Sequence, residues 1–168
     1  GLESTLYELD IHKHRNNDCY YHIGFAYEIA AILNRKVTLP DCSYKEEKDS
    51  IENHFSLTVD TNKCPYYLAK MVTDVKIGES PLFIKRRLIA AGMRPINNVV
   101  DISNYVMLEF GQPLHFFDKD LLGDYILVRD AKEKEEIITL DGKKRSLSSN
   151  DIVITNGKNP VCIAGVMG

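Results

Sequence analysis

The side chains that could do chemistry in this sequence are concentrated in one stretch, residues 92–118. Amide, carboxyl, hydroxyl and imidazole groups alternate there with apolar residues. These polar residues are Asn97, Asn98, Asp101, Ser103, Asn104, Gln112, His115 and Asp118. A pocket for a small ligand needs this mixture, with apolar walls and a few placed polar groups. The sequence therefore predicts a binding or catalytic site in this stretch.

His115 is the side chain of this stretch that could exchange a proton near neutral pH. It follows Gly111 and Pro113, which predict a fixed, non-helical loop. A histidine flanked by Leu114 and Phe116 is more often a core residue than a catalyst. The residues alone leave both interpretations of His115 open.

Standard catalytic and metal-binding motifs are missing from the sequence. It contains no GxGxxG, GxxxxGK[ST], HExxH or GxSxG motif. The four cysteines form no CxxC pair, so we expect neither a metal site nor a disulfide framework. His12 and His14 fit a solvated strand end better than half of a metal site, and we expect His22 and His54 to be structural or solvated.

The distribution of charge is more informative than its total. The net charge is −3, which does not point to a nucleic-acid binder. Residues 63–100 nevertheless hold seven basic and two acidic side chains. The basic groups concentrate at Lys85, Arg86, Arg87 and Arg94. This patch could contact phosphates, although charge alone favours a solvated helix face.

Two helices must position the polar stretch. Ser80 and Pro81 predict the start of one helix, with Ser80 as its cap, and Gly92 predicts its end. A second helix is predicted over 103–110 and is closed by Gly111. A further helix is expected over 21–33.

Strands account for most of the remaining chain. The patterns predict extended segments at 6–11, 55–60, 66–77, 125–130, 136–140 and 151–155. Asp141-Gly142 predicts a hairpin turn into residues 145–147. Strands and helices lack a βαβ rhythm, so the fold class is predicted as α+β, with mixed, mainly antiparallel sheets and flanking helices.

The domain organisation follows from shifts in composition. We expect an N-terminal arm at 1–40, an acidic connector at 41–54 and a main module at 55–168. The absence of an initiator Met and the apolar run before Gly168 predict an excised fragment. No apolar run is long enough to span a membrane, so a cytoplasmic location is expected.

Residues 94–118, RPINNVVDISNYVMLEFGQPLHFFD, resemble the signature of bacterial phenylalanyl-tRNA synthetase beta subunits. The flanks agree, with KIGESPL at 76–82 before the signature and TLDG at 139–142, DIVI at 151–154 and AGVMG at 164–168 after it. Upstream, Asp18-Cys19, residues 22–24, Ala26 and residues 28–31 resemble the helix that precedes the module. The resemblance covers nearly the whole chain, although residues 14–18, HRNND, depart from the Asn-Arg-Pro-Asp pattern of the family.

The resemblance implies an α+β editing module, built from the third and fourth domains of that subunit. Such a module hydrolyses tyrosine mischarged onto tRNA(Phe). It implies a parent ligase that charges tRNA(Phe) with phenylalanine, using ATP and Mg²⁺. It also implies an alpha subunit as partner in an (αβ)₂ assembly. It implies no cofactor in the fragment itself. The alternative is a scaffold or tRNA-docking domain of the same subunit with a vestigial pocket.

The resemblance also assigns roles to residues. It implies that His115, Asn104 and Ser103 are catalytic: Asn104 and Ser103 orient the ester or the attacking water, and His115 bonds the terminal ribose or the substrate's polar end. Pro113, Gly165 and Gly168 are implied to bind the substrate. Lys85, Arg86, Arg87 and Arg94 are expected to bind tRNA. The glutamate that recognises the tyrosine hydroxyl in the family is expected beyond Gly168.

Overall fold

A computed structural model of the protein describes residues 5–167. The helices are α1 (Asn16–Cys19), α2 (His22–Ile32), α3 (Leu82–Ala90), α4 (Asn98–Phe110) and α5 (Lys119–Leu122). The strands are β1 (Ser56–Asp60), β2 (Tyr125–Asp130), β3 (Glu136–Ile138), β4 (Lys144–Ser146), β5 (Ile152–Thr155) and β6 (Pro160–Ile163). Short 3₁₀ helices cover Lys13–Arg15 and Ile51–Asn53. The combination is an α+β fold with mixed sheets, which confirms the predicted fold class.

The chain forms two compact units, and each unit combines two separate stretches. The helical unit joins the stretch that ends at Tyr44 with Val75–Phe116. The sheet unit joins Lys45–Asp74 with the stretch that begins at Phe117. The linear division at residues 40 and 54 that the composition suggests stays a prediction about functional modules.

In the helical unit, α3 begins one residue later than predicted and with a different cap. Pro81 is its N-cap, and Ser80 is buried beside the helix instead of capping it. The end of α3 matches the prediction, because Gly92 has φ +76. The Gly92 N–H donates to the Ile89 carbonyl at 3.0 Å, and the Met93 N–H donates to the Leu88 carbonyl at 2.8 Å. These two bonds form a Schellman motif, which satisfies the last carbonyls of the helix.

Helix α4 is longer than the predicted 103–110 and begins at Asn98. Its N-cap is Asn97, whose side-chain oxygen accepts the Val100 N–H at 3.0 Å. Asparagine is a strong N-cap because it satisfies a backbone donor that the first turn leaves unpaired. The predicted end is confirmed: Gly111 is in the left-handed conformation, and its N–H donates to the Met107 carbonyl at 2.9 Å.

Two predicted strands are wrong. Residues 6–11 and 66–77 contain no regular secondary structure, although their patterns resemble half-buried strands. Neither segment pairs with a neighbouring strand in the described part of the chain, and an unpaired extended segment has no ladder to stabilise it. The predicted helix at 21–33 is confirmed as α2.

The sheet unit contains a four-stranded sheet in the order β1-β2-β5-β6 and a β3-β4 hairpin. Strands β1 and β2 are parallel, and the other neighbours are antiparallel. The predicted strands at 55–60, 125–130, 136–140 and 151–155 are confirmed, with shifts of up to two residues at their ends. The predicted turn at Asp141-Gly142 is also confirmed, with Gly142 at φ +75.

The sheet unit holds most of the buried apolar side chains. One cluster contains Ala131, Ile137, Leu147, Val153 and Ile163. A second contains Ile126, Val128, Ile154 and Cys162. Burial of this apolar area stabilises the sheet by about 25 cal/mol for each Å² removed from water.

Candidate functional site

A buried carboxylate fixes the first half of α4. Asp101 is 1% exposed, and both of its oxygens accept hydrogen bonds. One accepts from the Ser80 hydroxyl at 2.5 Å, and the other accepts from the Ile96 N–H at 2.8 Å. A buried carboxylate is tolerated only when it is paired in this way. Asp101 therefore connects two segments to α4, namely the chain before α3 and the turn before α4 itself.

Asn98 adds a second tie at the same end of α4. Its amide NH₂ donates to the Lys76 carbonyl at 2.8 Å, and its side-chain oxygen accepts the Gly78 N–H at 3.2 Å. The Asn98 backbone N–H donates to the Gly78 carbonyl at 2.9 Å. These bonds hold residues 76–78 against the helix that carries Ser103 and Asn104.

Ser103 connects α4 to the loop that carries His115. Its hydroxyl donates to the Leu114 carbonyl at 2.9 Å. Residue 114 directly precedes His115, so this bond fixes the backbone from which the imidazole projects. Within the loop, the Gln112 side-chain NH₂ donates to the Pro113 carbonyl at 3.2 Å. The structure thus holds the loop that contains Pro113 and His115 against α4 at Ser103.

The environment of His115 favours its uncharged form. The residue lies near the surface of the helical unit, and partial desolvation lowers the pKa of the imidazole from its usual value of 6.5. Desolvation disfavours the charged form of any base. His115 is therefore neutral near pH 7 and can accept a proton from a bound molecule.

Asn104 offers a polar group to a ligand. Its side chain is half-buried on α4, next in sequence to Ser103. Among residues 5–167, no group forms a hydrogen bond with the side-chain amide of Asn104. A half-buried amide with both its donor and its acceptor unused can bind an ester or a water molecule without breaking an internal bond.

Of the two glycines expected at the substrate, the structure describes Gly165. Gly165 belongs to the sheet unit, in a tight turn that follows β6. Its φ is +71, and the Ile163 N–H donates across the turn to the Met167 carbonyl at 2.8 Å. Gly168 lies outside the described residues. The structure groups Ser103, Asn104, Pro113 and His115 in one unit and places Gly165 in the other.

The basic side chains expected at tRNA fall into two pairs. Lys85 forms an ion pair with Glu79 at 2.6 Å, and Arg87 donates to the Tyr105 hydroxyl and lies 5.5 Å from the centre of its ring. Arg86 and Arg94 are exposed, and neither forms an ion pair within the part of the chain described. These two guanidinium groups are available to external phosphates.

In the sequence, Asp101 and Asn98 are recognisable only as polar members of residues 92–118, and no role follows for them from that pattern. An acidic residue in the first turn of a helix is common at the surface, because it complements the helix dipole. The pattern therefore does not distinguish Asp101 from an exposed carboxylate. Its partner Ser80 lies 21 residues earlier in the chain, where its position before Pro81 predicts a helix cap instead.

Residues 5–167 contain no group of three or more His, Cys, Asp or Glu side chains placed to hold a metal ion. No helix among them is both long enough and apolar enough to cross a membrane.

The chain is similar to known proteins along its whole length. Residues 63–168 match the model of the B3/4 domain. The chain is 50% identical over 169 residues to the phenylalanine–tRNA ligase beta subunit of Staphylococcus aureus strain MSSA476, covering 99% of this chain and 21% of the relative. It is 50% identical over 170 residues to the beta subunit of Geobacillus kaustophilus strain HTA426, covering 100% of this chain and 21% of the relative. The chain thus spans about a fifth of the length of these curated relatives.

Proposed function

The chain belongs to the B3/4 domain family, and from this premise we propose that it hydrolyses tyrosine mischarged onto tRNA(Phe), as the editing module of a phenylalanine–tRNA ligase beta subunit. The observation that carries the proposal is the Ser103–Leu114 hydrogen bond of 2.9 Å. It holds the His115 loop on the helix that presents the unused Asn104 amide. A neutral base in a loop held against the helix that carries a hydrogen-bonding amide suits the hydrolysis of an ester.

The reaction needs a positioned water and a proton acceptor rather than a covalent nucleophile. Water attacks the ester carbonyl carbon, and its proton passes to the neutral His115 imidazole. The tetrahedral intermediate then expels the ribose oxygen, which takes the proton and leaves tyrosine as the free acid. The Asn104 NH₂ group donates to the carbonyl oxygen as negative charge develops there.

In this proposal Ser103 acts by position. Its proton is engaged by the Leu114 carbonyl, so the hydroxyl can offer a ligand only its oxygen lone pairs. Pro113 lies in the same held loop and forms part of the substrate wall. Gly165 and Gly168 stay proposed substrate-binding residues on the strength of the resemblance alone.

An editing step has a physical reason to exist. An apolar pocket built for phenylalanine cannot strongly reject an analogue that only adds a hydroxyl group. A second site that forms a hydrogen bond with that hydroxyl can reject phenylalanine strongly, because bound phenylalanine would leave the polar groups of the site unpaired. Tyrosine on tRNA(Phe) is therefore the ester that a second site would remove.

The names of the relatives support the wider assignment. We propose a parent enzyme that charges tRNA(Phe) with phenylalanine, uses ATP and Mg²⁺, pairs this subunit with an alpha subunit as (αβ)₂ and works in the cytoplasm. In this proposal the ATP-dependent charging is performed mainly by the alpha subunit.

Deacylation of Tyr-tRNA(Phe) by the full-length enzyme tests the proposal. We expect His115→Ala to lower the rate by about 100-fold, which is the usual contribution of a positioned base. His54→Ala is the matched control, since His54 is exposed in the sheet unit, and it should leave the rate unchanged. An unchanged rate in His115→Ala would remove His115 from the mechanism, and an inactive wild-type enzyme would reject editing.

The dependence of the rate on pH gives a second test. The active form of the imidazole is neutral, so deacylation should decrease as pH falls through the pKa of His115. Because desolvation lowers that pKa, the decrease should occur below pH 6.5. A midpoint at or above the usual value would contradict the proposed environment.

The exposed Arg86 and Arg94 favour a second candidate function, in which this unit docks tRNA without hydrolysing it. This alternative predicts that charge reversal at Arg86 weakens tRNA binding while the wild-type enzyme shows no deacylation. The deacylation assay separates the two functions directly.

A further inference from the structure

Tyr21 lies where the first part of the chain meets the candidate site. It is the N-cap residue of α2 and is half-buried, whereas its neighbour Tyr20 is 61% exposed. Helix α2 packs against α4 within the helical unit. No role follows for Tyr21 from its sequence context, and the match to the B3/4 domain begins only at residue 63.

The Tyr21 ring occupies space that two glycines leave open. A methyl group added to Gly111 would lie 2.6 Å from Cδ1 of Tyr21 and 2.8 Å from its Cγ. A methyl group added to Gly24 would lie 2.8 Å from Cζ of the same ring. Real side chains do not approach this closely, so the ring packs directly against the backbone at both glycines, and a methyl group at Gly24 would also lie 1.8 Å from the Asp18 carbonyl oxygen.

Gly111 is the point at which α4 ends and the His115 loop begins. Its φ of +75 turns the chain out of the helix, and a residue with a side chain would be strained there. The Ser103–Leu114 bond holds the loop three residues later. The loop is therefore held at two places, by an aromatic ring at its start and by a hydroxyl just before His115.

Ion pairs of Arg15 hold the chain on both sides of Tyr21. The Arg15 guanidinium donates to the Asp18 carboxylate at 2.8 Å and to the Glu28 carboxylate at 2.7 Å. It lowers the pKa of both acids through these hydrogen bonds. Since Asp18 precedes Tyr21 and Glu28 follows it on α2, one arginine fixes both sides of the residue.

We propose that Tyr21 is a positioning residue for the His115 loop, acting through the backbone of Gly111. The segment at 13–32, which includes the Arg15 ion pairs, is on this account part of the site rather than a separate arm. The expected effect of Tyr21 on the reaction rate rests on the proposed function. The expected effect of Tyr21 on the loop rests on the packing alone.

The test compares variants in the full-length enzyme. Tyr21→Leu removes the ring but keeps an apolar side chain, Tyr21→Phe keeps the ring, and Tyr20→Ala is the exposed control. We expect Tyr21→Leu to lower kcat for Tyr-tRNA(Phe) deacylation by about tenfold with KM unchanged, because a misplaced catalytic group costs rate and leaves remote substrate contacts in place. Tyr21→Phe and Tyr20→Ala should both match the wild type.

Hydrogen exchange of the backbone amides of 112 and 114–116 is the second readout. Tyr21→Leu should speed exchange there by about tenfold and leave the amides of β2 and β5 unchanged. Unchanged exchange in this loop would overturn the proposal, as would faster exchange with an unchanged kcat. Faster exchange in an enzyme whose wild type cannot deacylate would instead reject the proposed function and leave the loop contact standing.

Tyr21→Ala provides an independent check on folding. If it unfolds the subunit while Tyr21→Leu behaves like the wild type in both readouts, Tyr21 serves stability alone and the proposal fails.

Discussion

The two units of the chain are stabilised by different interactions. The sheet unit buries two apolar clusters, with Val128 and Val153 fully inaccessible to solvent. The helical unit buries few apolar side chains, chiefly Ile84, Leu88 and Cys19, together with the polar pair Ser80 and Asp101. Apolar burial is non-directional, whereas hydrogen bonds fix the orientation of the groups they join.

This difference explains why the candidate catalytic residues lie in the helical unit. A catalytic group must be held within a fraction of an ångström, and directional bonds such as Asp101–Ser80 and Ser103–Leu114 do this at specific atoms. The sheet unit supplies stability by burial. Substitutions should therefore act mainly on the free energy of unfolding in the sheet unit and mainly on the geometry of the site in the helical unit.

The largest expected effect is in the sheet core. Ile126 is 3% exposed within one apolar cluster, so Ile126→Ala should lower the free energy of unfolding by about 2–5 kcal/mol. Ile138→Ala is the matched control, because Ile138 is 71% exposed and the substitution should change stability by less than about 0.5 kcal/mol. Urea unfolding followed by circular dichroism measures both. Equal losses in the two variants would contradict the assigned core.

The next largest effect on stability is expected at the ion pair of Arg129 and Glu135. Arg129 donates two hydrogen bonds to Glu135, at 2.8 and 2.7 Å, and lowers the pKa of Glu135 from 4.5 to about 2. The folded-state pKa lies below the unfolded one, so this stabilisation is present above pH 4.5 and is lost as pH falls towards 2. The shift corresponds to about 3 kcal/mol.

Glu135→Gln tests that interaction. It should flatten the dependence of unfolding free energy on pH between about 4.5 and 2, whereas Glu136→Gln, at an exposed strand position, should keep the slope of the wild type. An unchanged slope in Glu135→Gln would mean that another group controls acid unfolding.

A smaller loss of stability is expected in the helical unit. Asp101→Ala leaves the Ser80 hydroxyl and the Ile96 N–H without their acceptor, at a cost of about 2 kcal/mol. Because Ser80 and Asp101 share one bond, the double variant with Ser80→Ala should lose less than the sum of the two single variants. Strict additivity in chemical denaturation would show that the bond does not contribute.

The smallest effect concerns the surface charge of the helical unit. Arg86→Glu combined with Arg94→Glu should weaken tRNA binding most at low salt and make the slope of log affinity against log salt shallower by about 2. Lys158→Glu, an exposed charge reversal in the sheet unit, should have little effect. Filter binding at several salt concentrations measures this, and equal slopes would identify a solvated face.

The same contrast explains what the sequence could predict. Strand β2 has alternating burial, and helix α3 ends at a glycine, so local patterns were sufficient there. The alternation at 6–11 is equally clear but finds no strand to pair with in the part of the chain described. Pairing between distant segments is not encoded in the local pattern of either one.

The site was predicted in the same uneven way. Gly111 and Pro113 predict the loop at His115, because the backbone preferences of glycine and proline act on the local chain. The tie between Ser80 and Asp101 depends on a turn between α3 and α4, and Tyr21 meets Gly111 across 90 residues of chain. Only the folded structure brings those atoms together.

The most direct test of the account is the rate of Tyr-tRNA(Phe) deacylation in the full-length enzyme with Ser103→Ala and Ser103→Thr. Removing the hydroxyl releases the Leu114 carbonyl and the loop that carries His115, and threonine keeps a hydroxyl in the same place. We predict a loss of about tenfold in kcat for Ser103→Ala, the equivalent of one hydrogen bond, and a rate near that of the wild type for Ser103→Thr. Equal rates in all three enzymes would contradict the claim that directional bonds in the helical unit position the site.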